Sequence, residues 1–349
     1  MYQKMKRIVL TGIEEFDVVE SLIPKILNEE DVLLKIKSVG VCGSDIHYYK
    51  EGRIGDQVLD YPFTIGHECS ALVEQVGNNV THIKPGDLVA VDPAISCHNC
   101  EQCLSGREHT CTNLRFLGCP GQLDGCLTEY VIMPGRNCFP VPQKLNDELA
   151  ALVEPLSIGY YAASFLKEKN DINSIAILGV GPIGLSVMLS LKTMGYNQYY
   201  VTDRLDYRLE IAEKVGAVWI GNPDKENIYA SLREKNFGGI DAVFECCGKQ
   251  EAIDDAIEIL KPGGTLLIVG IPETNRISFD MNKMRRKEIA IQNIRRQNKS
   301  VQPVIDQIAS GKLHPEFLVT HRFPIEKTSE AFNIVANYQD NVVKALVRF

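Results

Sequence analysis

The stretch "AILGVGPIGLS", Ala176–Ser186, decides the fold of this chain. It sets Gly179, Gly181 and Gly184 in G-x-G-x-x-G order between an apolar run and an amphipathic one. At a strand-to-helix turn the first glycine permits the tight bend, and the second lets a pyrophosphate approach the backbone. The third allows close packing of helix on strand, and the helix N-terminus favours the diphosphate. Three glycines can also be nothing more than a turn, so the surroundings matter. Asp203 follows at the end of the next apolar run, at the distance expected of a carboxylate that accepts hydrogen bonds from the adenosine ribose. Such a group repels a 2′-phosphate and favours NAD over NADP. Arg204 and Arg208 oppose this, since a nearby arginine accommodates that phosphate; the plainer reading of Arg208 is a charge on a helix surface. Pro182 and Ile183 in the turn, with Val269 and Ile271 at the end of "TLLIVG", complete the expected cofactor contacts.

Working outward, apolar runs ("IAIL", "YYVT", "AVWI", "AVFE", "TLLIVG", "IAIQNI") alternate with helical stretches such as "YRLEIAEKV" and "AIDDAIEIL". Fully apolar strands separated by helices indicate a parallel sheet covered on both faces, and six of them match a doubly wound dinucleotide-binding domain. Before about residue 150 the texture differs. "DVLLKIKSVGVCG", "CSALVEQVG", "GDLVAVDP" and "LTEYVIMP" are short strand-like runs broken by Gly, Pro and Asn, which predict a β-rich barrel or sandwich. After about Ile294 the alternation stops. The expected division is residues 1–157, a dinucleotide-binding domain over 158–294, and a return segment, 295–349, completing the first domain. A chain of 349 residues is long for one core, which fits two domains.

The formal net charge of −8 leaves no electrostatic footprint for nucleic acid or an anionic membrane. The N-terminus lacks a long apolar run of the signal-peptide kind. Ser174–Leu191 carries no charge and passes a crude test for a membrane span, but the glycines and proline at its middle favour a strand, turn and helix. The chain reads as cytoplasmic.

In that reducing compartment "CHNCEQCLSGREHTC", Cys97–Cys111, is a poor disulfide framework, and the total of 11 cysteines is odd. The C-x2-C-x2-C-x7-C spacing suits four thiolates around one tetrahedral Zn²⁺; an iron–sulfur cluster is the competing metal reading. A site of Cys97, Cys100, Cys103 and Cys111 is closed, so it is structural, and chemistry lies elsewhere. Further ligand-type residues stand at Cys42 in "GVCGSDIH", His67 and Glu68 in "IGHE", and Glu154 in "VEPLS". Taken singly each has a plain explanation: a small core residue, a structural histidine, a solvated carboxylate.

Together, the order CGSDIH, GHE, four-cysteine loop, EPLS, GVGPIG and "THRFP" resembles the zinc-containing medium-chain alcohol dehydrogenases. The length of "HYYKEGRIGD", with EPLS where other branches place a cysteine, resembles the polyol (sorbitol or xylitol) branch. The resemblance covers essentially the whole chain and implies a GroES-like catalytic domain beside the dinucleotide domain. It implies a catalytic zinc on Cys42 and His67, completed by Glu68 or Glu154 directly or through water, and a structural zinc on the four cysteines. By the same resemblance Ser44 and His47 match proton-relay positions, while Tyr48, Phe116 and Arg295 match the substrate pocket. Arg296 stands where sorbitol dehydrogenases typically carry tyrosine, and its charge points toward a longer, cyclic or acidic sugar derivative. The implied activity is NAD-linked oxidation of a polyol or sugar-derived alcohol by a homotetramer. Dehydrogenation of a diol, amino alcohol or simple secondary alcohol is the alternative within the fold. A non-catalytic zinc-binding structural or regulatory protein is the alternative outside enzymes.

Overall fold

The computed structural model describes residues 3–167, 171–235 and 238–349. These divide into two compact units: residues up to Glu154 together with Val301–Phe349, and Pro155–Ser300.

The second unit is built on a sheet of six parallel strands. Their order is Trp219–Gly221, Tyr199–Thr202, Ile175–Leu178, Ile240–Glu245, Leu260–Ile268 and Ala290–Asn293. Ile175–Leu178 and Ile240–Glu245 are buried at every position, as strands covered on both faces must be. The chain reverses direction across the sheet beside Ile175–Leu178, so the glycine turn that follows it opens at the switch point where doubly wound sheets bind ligands. The uncharged run that resembled a membrane span is the strand Ile175–Leu178 followed by the helix Pro182–Thr193. Among the described residues no helix is long and apolar enough to cross a membrane.

The first unit is β-rich. Its main sheet runs Cys138–Pro140, Leu88–Val91, Glu68–Val76, Asp31–Gly40, Lys344–Arg348 and Val319–Pro324, and Tyr130–Pro134 also pairs with Asp31–Gly40. Its core includes Leu34, Ile36, Ile65, Leu127, Met133 and Phe332. The late strand Lys344–Arg348 lies antiparallel to Asp31–Gly40, opposing Leu346 to Gly40. Gly40 is opposed to Glu68 on its other side. Three distant parts of the sequence are thereby aligned at one level of the sheet, and the candidate site is built there.

Candidate active site

Cys42 follows the strand Asp31–Gly40 and caps the helix Gly43–Glu51, where partial positive charge accumulates. Asp45 closes this helix start by accepting from the Cys42 backbone N–H at 3.1 Å, while Ser44 Oγ donates to Cys42 Sγ at 3.3 Å. At its other end Gly52 takes a left-handed φ of +68° and donates its N–H to the Tyr48 carbonyl, ending the helix. The same Asp45 carboxylate, 1% exposed, accepts from Gly66 N–H at 3.2 Å and lies 3.3 Å from His67 Nδ1. A carboxylate on one ring nitrogen orients the imidazole and leaves the other free for a metal. Cys42, His67 and Glu68 bring one ligand atom each to within 4.8 Å of one another.

Glu68 also carries a buried ion pair. Lys344 Nζ donates to both carboxylate oxygens, at 2.8 and 2.6 Å, and to the Val41 carbonyl at 3.1 Å. Room for this carboxylate comes from Gly40 across the strand pair, where any side chain would overlap Glu68 Oε2. Glu154, on the helix Asp147–Ser164, is buried, and its Oε2 has no hydrogen-bond partner among the described residues. Burial, with Glu68 and Asp92 adding, pushes its pKa up to about 8 against the pull of His67 and Lys344. A thiol, an imidazole and a carboxylate within 4.8 Å of one another are a donor set that fits zinc, while Glu154 lies outside that cluster with an orphaned oxygen of its own.

The four cysteines of the loop fit a second ion. Their sulfurs stand 3.5 Å (Cys100–Cys103), 3.8 Å (Cys100–Cys111) and 4.0 Å (Cys97–Cys103) apart. Thiolates about 2.3 Å from a tetrahedral zinc lie roughly 3.8 Å from one another. No disulfide joins cysteines among the described residues. Backbone amides of Cys103 and Thr112 pull the Cys100 thiol down to about 5, whereas burial and the neighbouring sulfurs push Cys103 up to about 12.

In the second unit Gly179 adopts φ +88° and donates its N–H to Thr202 O at 2.8 Å, while a Cβ on Gly184 would overlap the Gly179 carbonyl oxygen. Asp203 accepts from Val180 N–H at 2.8 Å and Leu205 N–H at 2.9 Å, which ties the glycine turn to the neighbouring strand's end. Arg208 is no surface charge. Its Nη1 lies 3.8 Å from Asp203 Oδ2, and a Cβ on Gly181 would come within 3.2 Å of it. Arg204 is exposed and paired with Asp224 at 2.8 Å.

Comparison with known proteins agrees with this arrangement. The alcohol dehydrogenase GroES-like domain matches residues 28–143, and the zinc-binding dehydrogenase domain matches residues 182–310. The chain is 36% identical to sorbitol dehydrogenase of Bacillus subtilis, over 99% of this chain and 97% of that protein. The chain belongs to the zinc-binding dehydrogenase family. Among other relatives of this dehydrogenase, L-idonate 5-dehydrogenase of Vitis vinifera is 31% identical over 97% of the chain and 93% of that protein. The crystal structure of L-idonate 5-dehydrogenase from Escherichia coli superposes with a TM-score of 0.91 at 27% identity, covering 100% of this chain and 99% of that one.

The remaining expected site residues of the dehydrogenase fall unevenly. Phe116 packs against His67, ring centroids 5.3 Å apart. Tyr48 is 4% exposed, and its hydroxyl donates to Gln57 Oε1 at 3.3 Å. His47 is half-buried, with Nδ1 3.8 Å from Glu51. Arg295 is exposed, while Arg296 is half-buried with a left-handed φ of +53°. Val269 is half-buried and Ile271 exposed. Asp45 and Lys344 were not singled out from the sequence. Asp45 had a local signal, a carboxylate at the third position of a helix; Lys344 had only its place as one cation in the apolar run "VVKALV".

Proposed function

We propose that the chain oxidises a secondary hydroxyl of a polyol or sugar-derived alcohol to the ketone, with NAD as hydride acceptor and two zinc ions in separate roles. The observation that carries this reading is the Cys42, His67 and Glu68 cluster, sited in a chain whose relatives are named for sorbitol and L-idonate. Cys42, His67 and a carboxylate from Glu68 or Glu154 would hold a zinc ion, which would supply Lewis-acid polarisation of the hydroxyl and ease loss of its proton near neutral pH. The chain's own groups do the rest. Asp45 fixes the His67 ring, and Ser44, whose hydroxyl already lies against Cys42 Sγ, holds the departing proton. His47 gives that proton a route to water. Phe116 would wall the carbon chain beside His67, and Tyr48, Arg295 and Arg296 are the further substrate contacts that the resemblance implies. A bound NAD would accept the carbinol hydrogen together with its electron pair, and the hydroxyl proton would go to solvent.

For the cofactor, the Asp203 carboxylate disfavours a 2′-phosphate, and Arg204 is engaged by Asp224. Pro182 and Ile183 at the helix start, with Val269 and Ile271, would line the dinucleotide. The four-cysteine zinc ties down its loop, and a homotetramer belongs to the same reading, testable by sedimentation. Initial rates over sorbitol, xylitol, L-idonate, 2,3-butanediol and 2-propanol, each with NAD and NADP, test the assignment. The highest kcat/KM is expected for a polyol or sugar acid with NAD. A simple alcohol exceeding every polyol would overturn the substrate class, and a preference for NADP would overturn the role of Asp203.

A further inference from the structure

Beyond the residues already named, we propose that Glu245 is a positioning residue of the dinucleotide site, clamping the loops that follow adjacent central strands; this rests on the dinucleotide reading above. Glu245 ends the strand Ile240–Glu245, paired with Leu178 on one side and Ile268 on the other. Its neighbours in the sheet therefore lead directly into the glycine turn and into the Val269–Ile271 segment. The side chain is fully buried. Oε1 accepts from Cys247 N–H at 2.8 Å and Gly248 N–H at 2.6 Å, while the Glu245 carbonyl accepts from Val269 N–H at 2.8 Å and Gly270 N–H at 2.9 Å. One residue thus holds the backbone of both loops.

The packing around it has no slack. A Cβ on Gly179 would come within 2.8 Å of Cys247 Cβ, so the clamped loop backs the glycine turn. Gly248 takes φ +72°, and a Cβ there would overlap the Ile271 carbonyl oxygen. A Cβ on Gly270 would approach Glu245 Oε2 to 2.9 Å and overlap Gly248 N. Oε2 itself has no hydrogen-bond partner among the described residues. A buried carboxylate is a costly anchor; what it provides here is one oxygen that accepts from two consecutive amides. Backbone groups that meet a cofactor lose affinity steeply when they shift by an ångström.

The test compares Glu245→Leu and Glu245→Gln in the zinc-loaded full chain, reading the NADH dissociation constant by nicotinamide fluorescence beside zinc content and steady-state kinetics. Glu245→Leu removes the acceptor and should weaken NADH about ten- to a hundredfold, raising KM for NAD far more than it lowers kcat. Glu245→Gln retains a carbonyl for both amides and should restore most of the affinity, a rescue that mere loss of charge would not give. A folded Glu245→Leu with wild-type NADH affinity would overturn the proposal. If that variant does not fold, Gly270→Ala decides, because its methyl presses on Oε2: weakened NADH binding is expected, and wild-type affinity overturns the clamp. Failure of the wild-type chain to bind NADH would instead sink the dinucleotide reading itself.

Discussion

Replacing Lys344 by methionine should expose how much of the metal cluster's architecture depends on one buried cation. Lys344 and Glu68 are each 2% exposed, and the ammonium is held by both carboxylate oxygens and the Val41 carbonyl. Methionine fills a similar volume, so the packing change is small, but Glu68 is left as an uncompensated interior charge. Breaking one side of such a pair costs about 3–5 kcal/mol. The cost should be full in zinc-depleted protein and smaller in zinc-loaded protein, where Glu68 can turn its charge to the ion. Urea unfolding of both forms measures this, and adding Glu68→Gln should recover most of the loss. Burial pushes the Lys344 pKa down, but Glu68 and then Cys42 outweigh it, and the net direction is upward. A raised lysine stabilises the fold fully below its unfolded value of about 10.4 and loses that contribution only above it, so the wild-type pair is intact throughout the neutral range. A zinc-depleted variant less than about 1 kcal/mol weaker than wild type would refute the reasoning, since that is the worth of a surface pair.

Zinc-depleted wild-type protein should itself lose stability as pH rises from about 4.5 through 8 and beyond. Burial raises Glu154 to about 8; burial lowers His67, yet Asp45 and Cys42 bring it well above the usual imidazole range. Both groups bind protons more readily folded than unfolded, so their contribution is complete below the unfolded pKa values and fades as pH climbs through the folded ones. A denaturant midpoint unchanged between pH 6 and 9 would contradict this. Cys100→Ser should reduce bound zinc from two ions per chain to one, lower Tm, and leave residual turnover; loss of both ions would show that the two sites are not independent.

The doubly wound unit was legible because its chemistry is local. Parallel strands buried on both faces are dominated by apolar residues, as in "IAIL" and "AVFE", and three glycines mark the turn, two of them where a side chain would collide. The metal cluster was legible only through resemblance, because Cys42, His67 and Glu68 are brought together by the pairing of strands distant in sequence, which periodicity does not encode. Arg208 misleads for a related reason. As a charge on the amphipathic helix Asp206–Val215 it reads as solvated, yet that helix begins against the glycine turn and turns the guanidinium toward Asp203. Lys344 is separated from Glu68 by most of the chain, and no local pattern links a strand lysine to a particular distant carboxylate.

Lys344 also sits on the strand that closes the first unit's sheet against Asp31–Gly40, and this imposes an order of events during synthesis. Once residue 154 has emerged, roughly 190 more must be made before Lys344 exists, including the whole of Pro155–Ser300. At about 5–20 residues per second that interval is on the order of 10–40 s. Throughout it residues 38–40 of the strand Asp31–Gly40 lack their late partner, a short open edge beside the part that Tyr130–Pro134 already covers, and Glu68 has no lysine. The ligand-type residues Cys42, His67 and Glu68 and the four-cysteine loop all lie within the first 111 residues, so translation delays the lysine and not these side chains. What the ribosome delivers late to this protein is therefore the countercharge of Glu68 rather than a ligand-type side chain.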